Sequence, residues 1–234
     1  MTIDFSGKTI LVTGASGGIG QAIAQAFAEA NGTVIIHYNS NQSGANDTLV
    51  SLSGDEHTTI QADLSDAKAI ESLVTSLDTI DVVVNNAAVV EQYDFDALNF
   101  DQWHDVWNRT ISANLLGPAH LMFCVAKVMQ KNGGGKFVNI SSRGAFRGEP
   151  KAPAYGASKA GLNALGQSMA QALANAQDRG EDDVDSFDAA REREDTAESL
   201  LEREWMDTEE GAVDYEPGAI LRAFKRSMEG ADDP

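Results

Sequence analysis

Five short β-rich runs, each followed by a stretch of helical periodicity, predict an α/β protein built on a doubly wound parallel sheet. Three observations carry the prediction. The runs "KTILVTG", "GTVIIHY", "TTIQAD", "IDVVVNNA" and "GKFVNISS" recur between residues 8 and 142. Val82, Val83 and Val84 follow one another without polar alternation, as a strand buried on both faces requires. The intervening segments are long enough for the helical crossovers that parallel neighbours need.

Each element follows from its own pattern. The first strand ends in a glycine-rich turn, and "IGQAIAQAFAEA" then places Ile19, Ile23, Ala26 and Phe27 on one helical face. The second strand precedes a polar helix near 43–53, and the third precedes the helix "AKAIESLVTSL". After the fourth strand a long helical stretch runs from about Asp101 to Met129, with Trp103 and Trp107 one turn apart at core or interface positions. The fifth strand leads to a last helix beginning near Tyr155. The expected strand order is 3-2-1-4-5, with ligand at the carboxyl ends of the strands where the order reverses.

The totals set limits on function. A chain of 234 residues suits one large domain with a sizeable core. Net charge is −19, unevenly spread: residues 1–176 hold 16 acidic and 10 basic side chains, and residues 177–234 hold 20 and 7. Such a surface suits neither nucleic acid nor anionic membrane. No run approaches the ~20 apolar residues of a membrane span, and "MTIDFSGKTILVTG" lacks a secretory pattern, so a soluble cytoplasmic protein is expected. The single cysteine, Cys124, lies among Leu121, Met122, Val125 and Val128 and reads as a buried structural thiol. His37, His57, His104 and His120 show no metal-ligand spacing, so no metal is expected.

The regular pattern stops near Ala176 and divides the chain into residues 1–176 and an acidic, partly helical extension, 177–234. In the extension "EPGAILRAFKRSMEG" has a helical apolar stripe, and "GAVDYEPG" is the candidate for a late sixth strand. Asp214 and Glu216 suit a buried parallel strand badly.

Two motifs bear on chemistry. In "TGASGGIG", Thr13 to Gly20, Gly14 permits a tight turn, Gly18 lets backbone approach a pyrophosphate, and Gly20 lets the helix sit close to the sheet. The helix N-terminus adds free N–H groups and a favourable dipole. In "SSRGAFRGEPKAPAYGASK", Tyr155 and Lys159 are i and i+4 on one helical face, and Ser142 stands 13 residues earlier at the end of the fifth strand. A phenol that ionises near pH ~10 is a poor proton carrier at neutral pH. A neighbouring ammonium favours the phenolate, and Lys159 is placed to supply one.

"TGASGGIG", "NNAA" from Asn85 to Ala88, Asn114 in "ISANLLGPAH", Ser142 and "YGASK" together resemble the short-chain dehydrogenase/reductase family, in order and in spacing, over about residues 5–176. The "HYNSN" segment is similar to the 3-oxoacyl-[acyl-carrier-protein] reductase branch. The resemblance implies a Rossmann-like NAD(P)-binding domain. Gly14, Ser16, Gly18, Ile19 and Gly20 would line the pyrophosphate. Asp63 and Leu64 would meet the adenine, and Asn86, Ala87 and Ala88 would border the adenosine ribose. Tyr155 would be the acid or base, Lys159 would bind the nicotinamide ribose, and Ser142 would hydrogen-bond the substrate carbonyl. Asn114 would bend its helix and anchor a water linking Lys159 to solvent.

Cofactor choice turns on the end of the second strand, where NAD enzymes usually place an acid. Here Tyr38 takes that position, followed by the neutral donors Asn39, Ser40 and Asn41, which favours NADP(H) over NAD(H). The family also implies a small carbonyl or alcohol substrate and a homo-oligomer, dimer or tetramer. Leu115, Leu121, Leu162 and Leu165 would fit either that interface or the core.

One departure matters. Family members usually return after the "YGASK" helix to a sixth strand ending in Pro-Gly and to a substrate-covering segment, whereas this chain continues "ANAQDRGEDDVDSFD". A second reading therefore stands beside the enzyme: a catalytically silent nucleotide-binding or interaction protein with an acidic extension. A chain whose ending was replaced, leaving a poorly folded product, is the third.

Overall fold

The computed structural model describes residues 3–178, with side chains to 174. Asp4–Gly166 form one compact unit. Of the second unit, Ile3 and the helical residues 167–178 are described. The candidate sixth strand and the helices expected beyond 178 lie outside the described residues.

The five strands are β1 (Thr9–Val12), β2 (Thr33–Tyr38), β3 (Thr58–Gln61), β4 (Val82–Asn85) and β5 (Lys136–Asn139). They form one parallel sheet in the order β3-β2-β1-β4-β5, the order expected from the sequence. Register follows from the apolar runs, Leu11 lying opposite Ile35 on one side and Val83 on the other. Among the described strands β5 pairs only with β4, and its residues are less buried than the four of β4.

Helices cover both faces. On one, α1 (Gly18–Glu29) and α2 (Gln42–Ser51) pack on β1, β2 and β3. On the other, α3 (Ala67–Thr75) packs beside α5 (Gly117–Lys131). The core on that face joins Leu11, Ile35 and Val83 of the sheet to Ile70, Leu73, Leu121, Val125 and Met129. The remaining helices are α4 (Phe100–Ile111), the short α6 (Gly144–Arg147) and α7 (Pro153–Asp178).

The long helical stretch of the sequence is real but not uniform: α4 and α5 are joined by a π-turn over Ser112–Leu116. From Phe100 to Lys131 the combined helix has the length and apolarity of a membrane span. Its apolar residues Leu121, Met122, Val125 and Met129 are buried in the core. Cys124 is half-buried beside the same cluster. Leu121 and Leu162 are buried as well, which assigns them to the core rather than to an interface, while Leu115 and Leu165 are half-buried.

Capping separates α1 from its neighbours. Asn41 caps α2, Asp66 caps α3, and Asn99 forms a reciprocal capping box with Gln102 at α4. Helix α1 begins at Gly17 without a side-chain cap, so its first-turn N–H groups are left for another acceptor.

Leu121→Ala removes a side chain with no exposed surface from the middle of the α5 core face. Chemical denaturation of this variant is expected to show a loss of about 2–5 kcal/mol, with little change in denaturant sensitivity.

Candidate active site

The carboxyl ends of β1 and β4 part company where the strand order reverses, and Thr13 bridges the gap. Its Oγ1 donates to the Val84 carbonyl at 3.1 Å and accepts from the N–H groups of Asn86 and Ala87 at 2.9 and 3.0 Å. The Asn86 side chain completes the junction, its Nδ2 donating to the carbonyls of Thr13 and Gly14 at 2.9 and 3.2 Å. Three of the sequence-predicted residues, Gly14, Asn86 and Ala87, are thereby brought together.

The glycine loop is shaped to admit a ligand and nothing bulkier of its own. Gly14 has φ 64°, and a Cβ there would lie 2.8 Å from Ala87 Cα. A Cβ on Gly20 would lie 2.4 Å from the Gly14 carbonyl. At Gly18, with φ 55°, the space is open. Beside this opening stand Ile19, 45% exposed, and the uncapped start of α1. Backbone donors, a helix N-terminus and an unfilled approach fit the pyrophosphate of a dinucleotide.

Further along the crevice the expectations divide. The Asp63 carboxylate accepts from the N–H and hydroxyl of Ser65, at 2.8 and 2.7 Å. These bonds hold it below the usual carboxylate range. The Leu64 side chain belongs to the core, so only its backbone is available to a ligand. Tyr38 is buried, Asn39 and Ser40 are exposed, and Ala88 is exposed at the rim. Asn41 is occupied: its Oδ1 accepts from the Gly44 N–H at 3.0 Å, and its Nδ2 reaches the Ser16 carbonyl at 3.4 Å.

The second cluster lies between β5 and the start of α7. Pro153 opens α7, two residues before Tyr155, as its fixed φ and missing N–H suit a helix start. Lys159 is 2% exposed, and its Nζ donates to the Ile140 carbonyl at 2.7 Å. The same ammonium lies over the Tyr155 ring, 5.8 Å from its centroid. Burial with so little compensation brings the Lys159 pKa down to about 8. Ser142 Oγ accepts from the Gly144 N–H at 3.2 Å, which turns the hydroxyl without using its proton. No hydrogen bond joins Ser142 to Tyr155 among the described residues.

Asn114 sits in the π-turn, 1% exposed. Its Oδ1 accepts from the Val89 N–H, and its Nδ2 donates to the Val89 carbonyl, both at 2.8 Å. The same Nδ2 reaches Ser158 Oγ at 3.2 Å, and Ser158 Oγ donates to the Tyr155 carbonyl at 2.7 Å. The irregular turn lets one amide serve both the exit of β4 and the first turns of α7.

Sequence reasoning passed over Thr13, His37 and Ser158. The signal for Thr13 and His37 was present, because a polar residue at the end of a strand buried on both faces must find a partner. Ser158 gave no such signal, since the residue it ties to α7, Asn114, is 44 residues away.

The comparisons agree with this geometry. The model of the short chain dehydrogenase family matches residues 8–177. An uncharacterized oxidoreductase of Thermotoga maritima is 37% identical over 172 residues, covering 71% of this chain and 66% of the relative. A 3-oxoacyl-[acyl-carrier-protein] reductase of Synechocystis is 33% identical over 174 residues, covering 72% and 69%. The solved promiscuous reductase LugOII, which catalyses keto-reduction at C1 during lugdunomycin biosynthesis, superposes with a TM-score of 0.66. It is 29% identical, with 75% of each chain covered. The chain thus spans just under two thirds of the Thermotoga relative. With the family match, the 3-2-1-4-5 sheet and the glycine loop in agreement, the chain belongs to the short chain dehydrogenase family.

Proposed function

We propose that the chain is an NAD(P)(H)-dependent oxidoreductase that interconverts a carbonyl and an alcohol, with Tyr155 as the proton carrier. The observation that carries the reading is the Lys159 ammonium, buried, held by the strand-end carbonyl of Ile140 and lying over the Tyr155 ring. An isolated buried ammonium is costly, and a fold retains one where its charge has a use.

When bound, the nicotinamide supplies or accepts the hydride. In the reducing direction the Tyr155 hydroxyl gives its proton to the substrate oxygen as that oxygen gains charge, and Lys159 stabilises the phenolate left behind. Lys159 donates one of its three N–H groups to Ile140 and keeps two for ribose hydroxyls. Ser142, its oxygen already accepting from Gly144, donates a hydrogen bond to the substrate oxygen and keeps its proton. Asn114 acts through Val89 and Ser158 to hold the two walls of the site. A water carried by Asn114 would return protons to Lys159.

The absence of a carboxylate from Tyr38 to Asn41 supports NADP(H). With Asn41 engaged on α2 and Ser16, Asn39 and Ser40 are the donors left for a 2′-phosphate. The Synechocystis relative and LugOII are named for reducing keto groups, so ketones and 3-oxoacyl thioesters are the substrates to test first. A homo-oligomer would draw on the exposed apolar residues of the α4–α5 stretch, Leu116 and Phe123.

Tyr155→Phe is expected to lower NADPH-dependent turnover of such substrates at least about 100-fold while leaving dinucleotide affinity within roughly twofold. Equal turnover by the variant and the wild type would remove Tyr155 from the chemistry. Fluorescence titration is expected to give tighter binding of NADPH than of NADH, and comparable affinities would defeat the NADP preference.

Lys159 also makes a stability prediction in the cofactor-free protein. The unfolded chain keeps the lysine proton to about pH 10.4, whereas the folded chain releases it near 8. Between those values the unfolded state binds more protons, so folded stability rises with pH. Below pH 8 both states are charged and the burial cost is fully present. Relative to Lys159→Met, the wild type is expected to gain up to about 3 kcal/mol between pH 8 and 10.5, read by denaturation at each pH. A flat difference would show that the ammonium is not buried.

A further inference from the structure

His37 is the penultimate residue of β2 and is 1% exposed. Its Nδ1 accepts from the Gly14 N–H at 3.2 Å, and its Nε2 lies 3.1 Å from the Ala62 carbonyl. Its own carbonyl accepts from the Ala15 N–H at 2.9 Å. These contacts settle the tautomer. A nitrogen that accepts from a backbone N–H carries the lone pair, so the proton is on Nε2 and is donated to Ala62. Burial lowers the His37 pKa to about 4, which keeps the ring neutral across the working range of most proteins.

The two groups joined by this ring belong to different parts of the crevice. Gly14 opens the loop shaped for a pyrophosphate, and Ala62 directly precedes Asp63 and Leu64, the residues expected at the adenine. Gly14 has no room for a Cβ beside Ala87, and its carbonyl leaves none for a Cβ on Gly20 in the first turn of α1, so a shift of the Gly14 peptide would disturb both neighbours. An imidazole is rigid and has an acceptor and a donor on nearly opposite sides. It can therefore set the distance between two backbone segments in a way that a flexible side chain does not.

We propose that His37 is a positioning residue for the dinucleotide: its neutral Nε2–H form registers the glycine loop against the adenine-side segment before the ligand arrives. The proposal rests on the dinucleotide reading given above. It differs from a simple core role, because a core histidine would stabilise the fold without any special effect on Gly14 or on binding.

Variants that keep one nitrogen at a time separate these roles. Asparagine places a polar atom near the position of Nδ1, and glutamine places one near Nε2, whereas leucine offers neither. The full-length chain and its His37→Asn, His37→Gln and His37→Leu variants are compared by thermal unfolding, by NADPH and NADH fluorescence titration, and by amide hydrogen exchange at Gly14 without ligand. The expected result is about tenfold weaker binding and at least tenfold faster Gly14 exchange in His37→Leu, the cost of one lost buried hydrogen bond. His37→Asn is expected to return both to within about threefold of the wild type.

A folded His37→Leu protein with wild-type affinity and Gly14 protection overturns the proposal. Should His37→Leu not fold, the other pair decides: tighter binding by His37→Asn than by His37→Gln supports the proposal, and equal or reversed binding overturns it. A wild type that binds neither dinucleotide overturns the ligand reading and the proposal with it. The dinucleotide reading survives, and the role of His37 alone fails, when the wild type binds and the variants bind equally.

Discussion

The hydroxyl of Thr13 sets the width of the crevice on which every proposed function depends. In a doubly wound sheet the chain leaves β1 and β4 in opposite directions, and nothing in the ladder itself holds the departing segments together. Thr13 Oγ1 donates to the Val84 carbonyl of β4 and accepts from the N–H groups of Asn86 and Ala87. It uses a hydroxyl's donor and both of its acceptor sites, so the group is fully satisfied although Thr13 is buried. From that anchor the Asn86 amide reaches back to Gly14, and the glycine loop takes its position relative to β4. Valine would match the shape of Thr13 but take the acceptor from the Ala87 N–H and leave the Asn86 N–H only the Val84 carbonyl, at 3.0 Å.

The sheet was legible because its evidence is local. Val82 to Val84 declare a strand buried on both faces, and the helices between strands repeat with the right length for crossovers. The boundary of the last helix was less accessible, since Pro153 rather than Tyr155 begins it and a proline is ambiguous between loop and first turn. The π-turn at Ser112–Leu116 leaves no mark in hydrophobic periodicity, which reads straight through from α4 into α5. Asn114 hinted at it, because a polar residue in a long apolar helix needs partners, but the identity of those partners, Val89 and Ser158, comes from folding distant segments together.

The site was legible in its helical spacing more than in its contacts. Tyr155 and Lys159 share a helical face by arithmetic alone, and the structure places the ammonium over the ring. The neutral donors after β2 were less well resolved by sequence. Asn39, Ser40 and Asn41 are chemically alike in a string of letters, yet Asn41 is occupied by the N-terminus of α2 while the other two face outward. Capping explains the difference: an Asn directly before a helix is drawn to the helix's unpaired N–H groups whatever other ligand is near.

Burial acts on two titratable side chains in the crevice and produces opposite kinds of part. Both His37 and Lys159 lose hydration, and in both the charged form is disfavoured. Starting from the ordinary value for histidine, the shift reaches about 4, and the ring is neutral near pH 7 with a defined donor and acceptor. Starting from the much higher value for lysine, a shift of similar cause stops at about 8. At pH 7 roughly nine-tenths of such lysines still carry a proton. The charge is therefore present beside Tyr155, the proposed proton carrier, yet close to its titration point. One physical effect, applied to two starting values, yields a part that must not respond to pH and a part whose charge can. That division suits the proposed proton transfer: fixed geometry on the side proposed for the nucleotide and an adjustable charge on the side proposed to react.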